Sequence, residues 1–165
     1  MCEMKATVHY VLTVQLPRDE AFALFTEQLG RWWPQEYTWS GDVLQTIGIE
    51  PSAGGLCYEL GPYGFRCDWG RVLTWEPPGK LVLAWQISPR REPEPNPARA
   101  STLEISFEAQ AAAQTRVVLE HRDFVRHGEG AEAYHAALAS PQGWPYIMQR
   151  FAAAATSPNV GADER

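Results

Sequence analysis

Hydrophobic and polar residues alternate along most of this chain, which is the pattern of β-strands with one buried face. In residues 8–16, for example, Val8, Tyr10 and Leu12 share one side, and mostly polar residues share the other. The same period of two returns in six later segments, which begin at Val43, Gly55, Phe65, Lys80, Ser101 and Gln114. Short turns connect most of these segments, so the sequence predicts a curved antiparallel sheet of six to seven strands.

One or two short helices are predicted after the first strand. Residues 18–30 carry apolar side chains near helical spacing and acidic residues in the first turn, and Gly30 is the expected stop. Residues 31–39 are rich in aromatic side chains and contain Pro34, which predicts a short helix or a loop. A further short helix is expected at residues 130–140.

The last helix is predicted to run from about Pro141 to Thr156, with Ser140 as its N-cap. One apolar stripe follows this helix and consists of Trp144, Ile147, Met148, Phe151, Ala152 and Ala155. A helix with such a stripe packs one face against an apolar surface, which here is the inward face of the sheet. We expect one domain at residues 1–156 and a disordered tail at residues 157–165.

Composition and charge exclude several classes of function. The chain has 165 residues, of which 45% are hydrophobic and 21% charged, and its formal net charge is −6. This acidity argues against a nucleic-acid partner, because phosphate binding requires clustered Lys and Arg. No apolar run approaches the ~18 residues of a membrane span, and no secretion signal is recognisable, so we expect no membrane partner and a cytoplasmic protein.

Cysteine and histidine spacing predicts neither a disulfide framework nor a metal site. The chain has three cysteines, an odd number that fits a reducing compartment. Cys57 and Cys67 flank a predicted hairpin turn, so a bridge between them is conceivable, but we do not expect one. His127 and His135 are separated by a glycine-containing break and lack the spacing of metal ligands. We therefore expect no metal and no cofactor.

Several short motifs resemble, in combination, a known family. They are Gly54-Gly55 with Glu59, Trp69-Gly70-Arg71-Val72 leading to Trp75-Glu76-Pro77-Pro78, Leu81 to Trp85, Leu119-Glu120-His121, and Gly143-Trp144 with Phe151. With these motifs the chain resembles the SRPBCC (START-like) superfamily over about residues 6 to 156. Within it, the chain is most similar to the bacterial homologues of the activator of the heat-shock protein 90 ATPase. The resemblance implies an α+β helix-grip fold, in which the sheet wraps around a long C-terminal helix and leaves a pocket between them.

Aromatic residues are the main candidates for the wall of such a pocket. The chain contains seven Trp, and aromatic walls with few polar groups are typical of small-molecule sites. The same side chains could instead fill a solid core. The candidate ligand-binding residues are Trp33, Glu59, Trp69, Trp85, Phe107, Leu119, His121, Trp144, Met148 and Phe151.

Glu59 and His121 are the two polar candidates in otherwise apolar surroundings. A buried carboxyl or imidazole group beside a pocket could act as a general acid or base. The alternative for Glu59 is an ion pair with Arg66 or Arg71 across a strand. The alternative for His121 is a purely structural role.

Three functions remain open on the sequence. The leading hypothesis is a non-enzymatic carrier or sensor of a small hydrophobic or aromatic molecule, because no catalytic constellation is recognisable. The second is a cyclase, dehydratase or hydrolase that acts on a hydrophobic substrate through Glu59 or His121. The third is regulation of a chaperone, which only the resemblance suggests. In addition, an exposed aromatic cluster of Trp32, Trp33, Tyr37 and Trp39 could mediate a homodimer.

Overall fold

The structure is a computed structural model that describes residues 6–156, so the expected tail at 157–165 lies outside the described residues. Its strands are β1 Val8–Val14, β2 Thr46–Ile49, β3 Leu56–Leu60, β4 Arg66–Glu76, β5 Lys80–Trp85, β6 Ser101–Ala111 and β7 Gln114–Arg122. Its α-helices are α1 Arg18–Thr26, α2 Leu29–Trp32, α3 Ala131–Ala139 and α4 Trp144–Thr156. Within this range no helix is both long and apolar enough to cross a membrane.

The seven strands form one antiparallel sheet in the order β1-β7-β6-β5-β4-β3-β2. Its register aligns apolar residues across neighbouring strands: Leu119 on β7 lies opposite Ile105 on β6, which lies opposite Leu81 on β5. Directly opposed residues point to the same face of a sheet, and all three of these side chains are fully buried. The sheet curves around α4, so the predicted helix-grip fold is confirmed.

The predicted apolar stripe of the last helix is also confirmed. Ile147, Met148 and Phe151 are buried on one face of α4. The ring of Phe151 lies 5.5 Å from that of Phe25 on α1 and 5.1 Å from that of Trp32 on α2, measured between centroids. The space between sheet and α4 beside Phe151 is therefore filled by aromatic side chains from the two N-terminal helices.

The predicted start of the last helix is wrong. α4 begins at Trp144, three residues later than expected, and Ser140 is part of the tight turn that connects α3 to α4. The Ser140 N–H donates to the carbonyl oxygen of Ala137 at the end of α3 (3.2 Å). Gly143 precedes α4 because a Cβ at this position would collide with the carbonyl oxygen of Leu138. This close approach holds the beginning of α4 against the end of α3.

The predicted stop at Gly30 is wrong as well. α1 ends at Thr26, and Gly30 lies inside the short helix α2. The chain leaves α2 at Trp33-Pro34, where Trp33 adopts an extended backbone conformation. A residue before proline is disfavoured in the helical region, which explains why α2 ends here.

Candidate functional site

A cavity of about 500 Å³ lies between β2–β5 and the turn from α3 to α4. The strands contribute four lining residues, Ile47, Glu59, Trp69 and Trp85. The opposite walls come from the segment after α2, from α3, from Gly143 just before α4, and from Ile147 in the first turn of α4. Its volume falls in the range of about 300–1,000 Å³ that is usual for small-molecule sites.

Three indole rings, those of Trp33, Trp69 and Trp85, form one side of this cavity, and we call them the indole cluster. The ring centroids of Trp33 and Trp69 are 6.1 Å apart with an interplanar angle of 21°. Trp85 lies 5.9 Å from Trp69 in an edge-to-face arrangement and 6.4 Å from Trp33. Trp69 and Trp85 come from the neighbouring strands β4 and β5, whereas Trp33 comes from the exit of α2. The cluster offers flat π faces and edges to an occupant.

Trp69 is the extra residue of a β-bulge. On β3, Tyr58 lies opposite Asp68 and the preceding Cys57 lies opposite Gly70, so Trp69 has no partner in the ladder. Bulges re-aim a side chain and are frequent beside functional sites. The Trp69 side chain is 3% exposed, and its Nε1 is buried without a hydrogen-bond partner among residues 6–156.

Glu59 lines the cavity from β3 and is fully buried. Its carboxylate accepts hydrogen bonds from the backbone N–H of Trp39 (3.2 Å) and from that of Ser40 (2.7 Å). The alternative of an ion pair with Arg66 or Arg71 is wrong, since Arg66 pairs with Asp68 instead and Arg71 donates to a backbone carbonyl. Glu59 therefore anchors the segment that follows α2 to the sheet.

Trp39 and Arg91 come from two different loops and line the cavity where its wall is exposed to solvent, and we call this part its mouth. The indole N–H of Trp39 donates to the backbone carbonyl of Arg91 at 3.0 Å, and the Arg91 guanidinium lies 4.7 Å from the centroid of the Tyr134 ring. Tyr134 accepts from Trp85 Nε1 (2.8 Å) and donates to the carbonyl of Ile87. Burial raises the pKa of Tyr134 to about 12, so its hydroxyl remains protonated near neutral pH.

His121 is fully buried, and both of its ring nitrogens have hydrogen-bond partners. Nδ1 accepts from the indole of Trp144 at 3.0 Å, and Nε2 lies 2.7 Å from Ser101 Oγ. Burial, reinforced by the neighbouring His127, lowers the pKa of His121 well below its ordinary value. The ring is thus neutral, and it does not line the cavity.

Four of the ten expected site residues line the cavity, namely Trp33, Glu59, Trp69 and Trp85. The other six are buried in the core and do not line it, which corrects the expectation for Phe107, Leu119, His121, Trp144, Met148 and Phe151. Phe107 and Phe151 are covered by Phe25 on α1, which both rings contact. His121 and Trp144 instead pack against each other and against Trp85. Alternation along a strand identifies the inward face but not which part of that face another element covers.

Several lining residues were not among the expected ones. Tyr37, Trp39, Arg91, Tyr134 and Ile147 belong to the wall. The sequence placed Ile147 on the buried stripe of α4, and that was the one available signal for it. The other four are brought together by loops and by α3, and no periodicity connects them.

The expected exposed aromatic cluster is wrong for two of its four members. Trp32 is 1% exposed, and its Nε1 donates to the carbonyl of Leu24 at 2.9 Å. Trp33 is half-buried and lines the cavity. Tyr37 and Trp39 are exposed, but they lie at the cavity rather than on a separate surface.

Cys57 and Cys67 are free, buried thiols. Burial is the main cause that raises the pKa of both, to about 11 for Cys67, so neither is a reactive thiolate near neutral pH. No group of three or more His, Cys, Asp or Glu residues within 6–156 is arranged to hold a metal ion.

The model of the family described as Activator of Hsp90 ATPase homolog 1-like protein matches residues 15–156. The chain belongs to this family. No curated protein matches the chain in sequence. Among solved structures, an anthrahydroquino-gamma-pyrone synthase, Txn09, in complex with a ligand designated SUM, is 33% identical, with a TM-score of 0.65. That similarity covers 93% of this chain and 99% of Txn09.

Two further solved structures are similar to this member of the Hsp90-activator-like family. The self-sacrificing resistance protein CalC from Micromonospora echinospora is 26% identical over 91% of this chain and 94% of its own, with a TM-score of 0.63. Protein NE0264 from Nitrosomonas europaea is 14% identical over 92% of this chain and 94% of its own, also with a TM-score of 0.63. The last similarity shows the fold alone. Together with the family match, these neighbours place the chain in the SRPBCC superfamily.

Proposed function

We propose that this chain binds a small, planar aromatic molecule in the cavity between β2–β5 and the α3–α4 turn. The indole cluster carries the proposal, because three Trp rings within 6.4 Å of one another present π faces and edges to the same space. Aromatic pairs gain about 0.5–1.5 kcal/mol each beyond the burial of their surface. A planar aromatic occupant would form several such pairs at once.

The size and polarity of the cavity support the same class of ligand. About 500 Å³ accommodates a molecule of several fused rings. The lining surface is mainly apolar, and its two buried oxygen-bearing side chains are already engaged: Glu59 by two backbone N–H groups, and the Tyr134 hydroxyl by Trp85 and Ile87. A flexible, strongly polar ligand would leave many of its own groups unpaired in these surroundings.

The named activity of one related structure favours an aromatic ligand. Txn09, at 33% identity, is called a synthase of an anthrahydroquino-gamma-pyrone, a name that denotes a fused aromatic ring system. The family description also names an activator of a chaperone ATPase. A chaperone-regulating role would not require an aromatic cavity, so we favour ligand binding.

A panel titration tests the proposal. Purified protein is titrated with planar aromatic compounds, such as fluorenone, xanthone and anthraquinone, and with fatty acids of similar volume. Trp fluorescence and the melting temperature are followed. We expect the aromatic compounds to quench fluorescence and to stabilise the fold, by about 2.7 kcal/mol at a concentration of 100 Kd. If no aromatic compound produces either response, the proposal is wrong.

A second candidate function is catalysis of ring closure on such a molecule, and the similarity to a synthase is the observation that favours it. His121 is enclosed in the core and Glu59 already accepts two hydrogen bonds, so neither supports the acid–base roles expected from the sequence. Catalysis would instead depend on holding a flexible substrate in the conformation that cyclises. Flexible, open-chain aromatic compounds are incubated with the protein and analysed by chromatography and mass spectrometry. A new cyclised product indicates an enzyme, and unchanged compound indicates a carrier.

A further inference from the structure

We propose that the indole N–H of Trp69 is the donor that recognises the ligand, and that the ligand presents a neutral carbonyl oxygen to it. This inference rests on the proposed aromatic-binding function and adds the polar group that the ligand must carry. The expected class is therefore an aromatic ketone or quinone rather than a bare aromatic hydrocarbon.

Trp69 differs from the other buried Trp side chains in that its indole N–H has no hydrogen-bond acceptor within residues 6–156. Trp32 donates to a backbone carbonyl, Trp85 donates to the Tyr134 hydroxyl, and Trp144 donates to His121. Trp69 Nε1 is buried without a partner among the described residues. The great majority of buried donors in folded proteins are paired, because an unpaired one has lost its hydrogen bond to water.

The surroundings of Trp69 explain why the protein itself does not satisfy this donor. The rings packed against it are those of Trp33 and Trp85, and an indole offers an N–H donor but no acceptor. Two other buried side-chain atoms without partners are Ser40 Oγ and His127 Nδ1, but neither of these residues lines the cavity. Of these three residues with an unpaired buried atom, only Trp69 lines the cavity.

The bulge on β4 supports a ligand-binding role for Trp69. In a regular ladder every residue of β4 from Arg66 to Arg71 would have a partner on β3, whereas here Trp69 is the inserted residue between two paired ones. Such an insertion costs ladder pairing, and bulges recur where a side chain must be directed towards a site. The bulge keeps the large indole on the cavity side while its neighbour Asp68 faces out.

The charge of the cavity lining favours a neutral acceptor group on the ligand over an anionic one. Two acidic residues, Glu36 and Glu59, line the cavity, against one basic residue, Arg91, among the described lining residues. Glu59 is fully buried on the strand next to Trp69, where little water is available to screen its carboxylate. A phenolate or carboxylate in this cavity would add a negative charge to a lining that already has an acidic excess, whereas a ketone oxygen accepts the hydrogen bond without adding a charge.

The test compares 9-fluorenone with fluorene, two planar three-ring compounds that differ in one carbonyl group. Affinities are measured by calorimetry on the whole chain. We expect wild-type protein to bind fluorenone about tenfold more tightly than fluorene. Trp69→Phe removes the donor and keeps an aromatic ring, so it should weaken the binding of fluorenone more than that of fluorene and abolish this preference, even if the smaller ring lowers both affinities. Trp85→Phe is the matched control: its N–H is already engaged, so the preference should persist.

Two outcomes would overturn the inference and leave the proposed function standing. One is equal affinity of wild-type protein for fluorenone and fluorene; the other is an unchanged preference in the Trp69→Phe variant. Failure of both compounds to bind would also overturn this inference, and failure of every aromatic compound of the panel would overturn the proposed function as well. An infrared spectrum of bound fluorenone gives a check that needs no variant: the carbonyl stretching band should move to lower wavenumber than in an apolar solvent, and an unshifted band would contradict the hydrogen bond.

Discussion

The indole N–H of Trp144 donates a hydrogen bond of 3.0 Å to Nδ1 of His121, and both side chains are fully buried. Because Nδ1 accepts, the proton of the neutral imidazole belongs on Nε2, which can donate to Ser101 Oγ at 2.7 Å. The Ser101 hydroxyl can then donate to His127 Nε2 at 2.8 Å. This chain of bonds ties the first residue of α4 to β7, to β6 and to the turn that holds His127. It thereby fixes the end of α4 that borders the cavity.

The first prediction concerns pH. Burial lowers the pKa of His127 to about 4 and that of His121 well below its ordinary value of 6.5. The unfolded chain therefore binds more protons than the folded one below about pH 6.5, and stability falls as the pH falls from there towards the folded pKa. For His127 alone, we expect the free energy of unfolding to be lower by about 1–2 kcal/mol at pH 5 than at pH 7. Urea denaturation at both pH values measures this difference.

His127→Gln is the control for the pH prediction. Its amide oxygen can still accept from Ser101, but the side chain does not titrate. The variant should lose less stability than wild type between pH 7 and pH 5, while carboxylates elsewhere contribute equally to both. Identical losses in the two proteins would show that His127 is not protonated on unfolding in this range.

The second prediction concerns the anchor at Glu59. Replacement Glu59→Gln exchanges one acceptor oxygen for an NH₂ group, which then faces the backbone N–H of Trp39 or Ser40. Because a buried donor is left unpaired, we expect the free energy of unfolding to fall by about 1–3 kcal/mol. Chemical denaturation measures it.

Asp68→Asn is the matched carboxylate-to-amide change on the neighbouring strand. Asp68 pairs with Arg66 at the surface, and both side chains are 44% exposed. Exposed ion pairs contribute about 0–1 kcal/mol, so this variant should remain close to wild type. If Glu59→Gln is as stable as Asp68→Asn, then Glu59 does not anchor the segment after α2.

The third prediction concerns the mouth of the cavity. Trp39→Phe removes the hydrogen bond that joins this loop to the carbonyl of Arg91. Since Trp39 is 38% exposed, the fold should be little affected, whereas bound fluorenone should dissociate about 2- to 10-fold faster. Stopped-flow fluorescence measures the dissociation rate. An unchanged rate would mean that the two loops do not need to separate for the ligand to leave.

Much of the fold could be predicted from the sequence, because the spacing of apolar residues along a strand or helix shows which of its faces is buried. Leu103, Ile105 and Phe107 alternate along β6, and all three are buried, as a one-sided strand requires. The stripe of α4 follows the same principle with the helical period. Boundaries were less predictable: the start of α4 depends on the close approach of Gly143 to the end of α3, a tertiary contact that no local pattern encodes.

The cavity was less predictable than the fold, for two physical reasons. Periodicity shows that Phe107 and Trp85 face inward, but it does not show that Phe25 on α1 covers the first while a space remains beside the second. The partner of Glu59 is likewise a pair of backbone N–H groups some twenty positions away, whereas the sequence suggested nearby arginines. Both depend on where separate elements pack.

Calorimetric titration of fluorenone into wild-type protein and into two matched variants of α3 tests the central claim most directly. Ala137 lines the cavity, whereas Ala136 on the same helix is exposed and does not line it. We predict that wild type and Ala136→Phe each bind one equivalent of fluorenone. The Phe side chain of Ala137→Phe enters the cavity and takes up space that the ligand needs, because closely packed side chains cannot move aside. This variant should therefore bind fluorenone at least about tenfold more weakly. Absence of binding to wild type, or equal affinity of the two variants, would contradict an aromatic-binding cavity at this position.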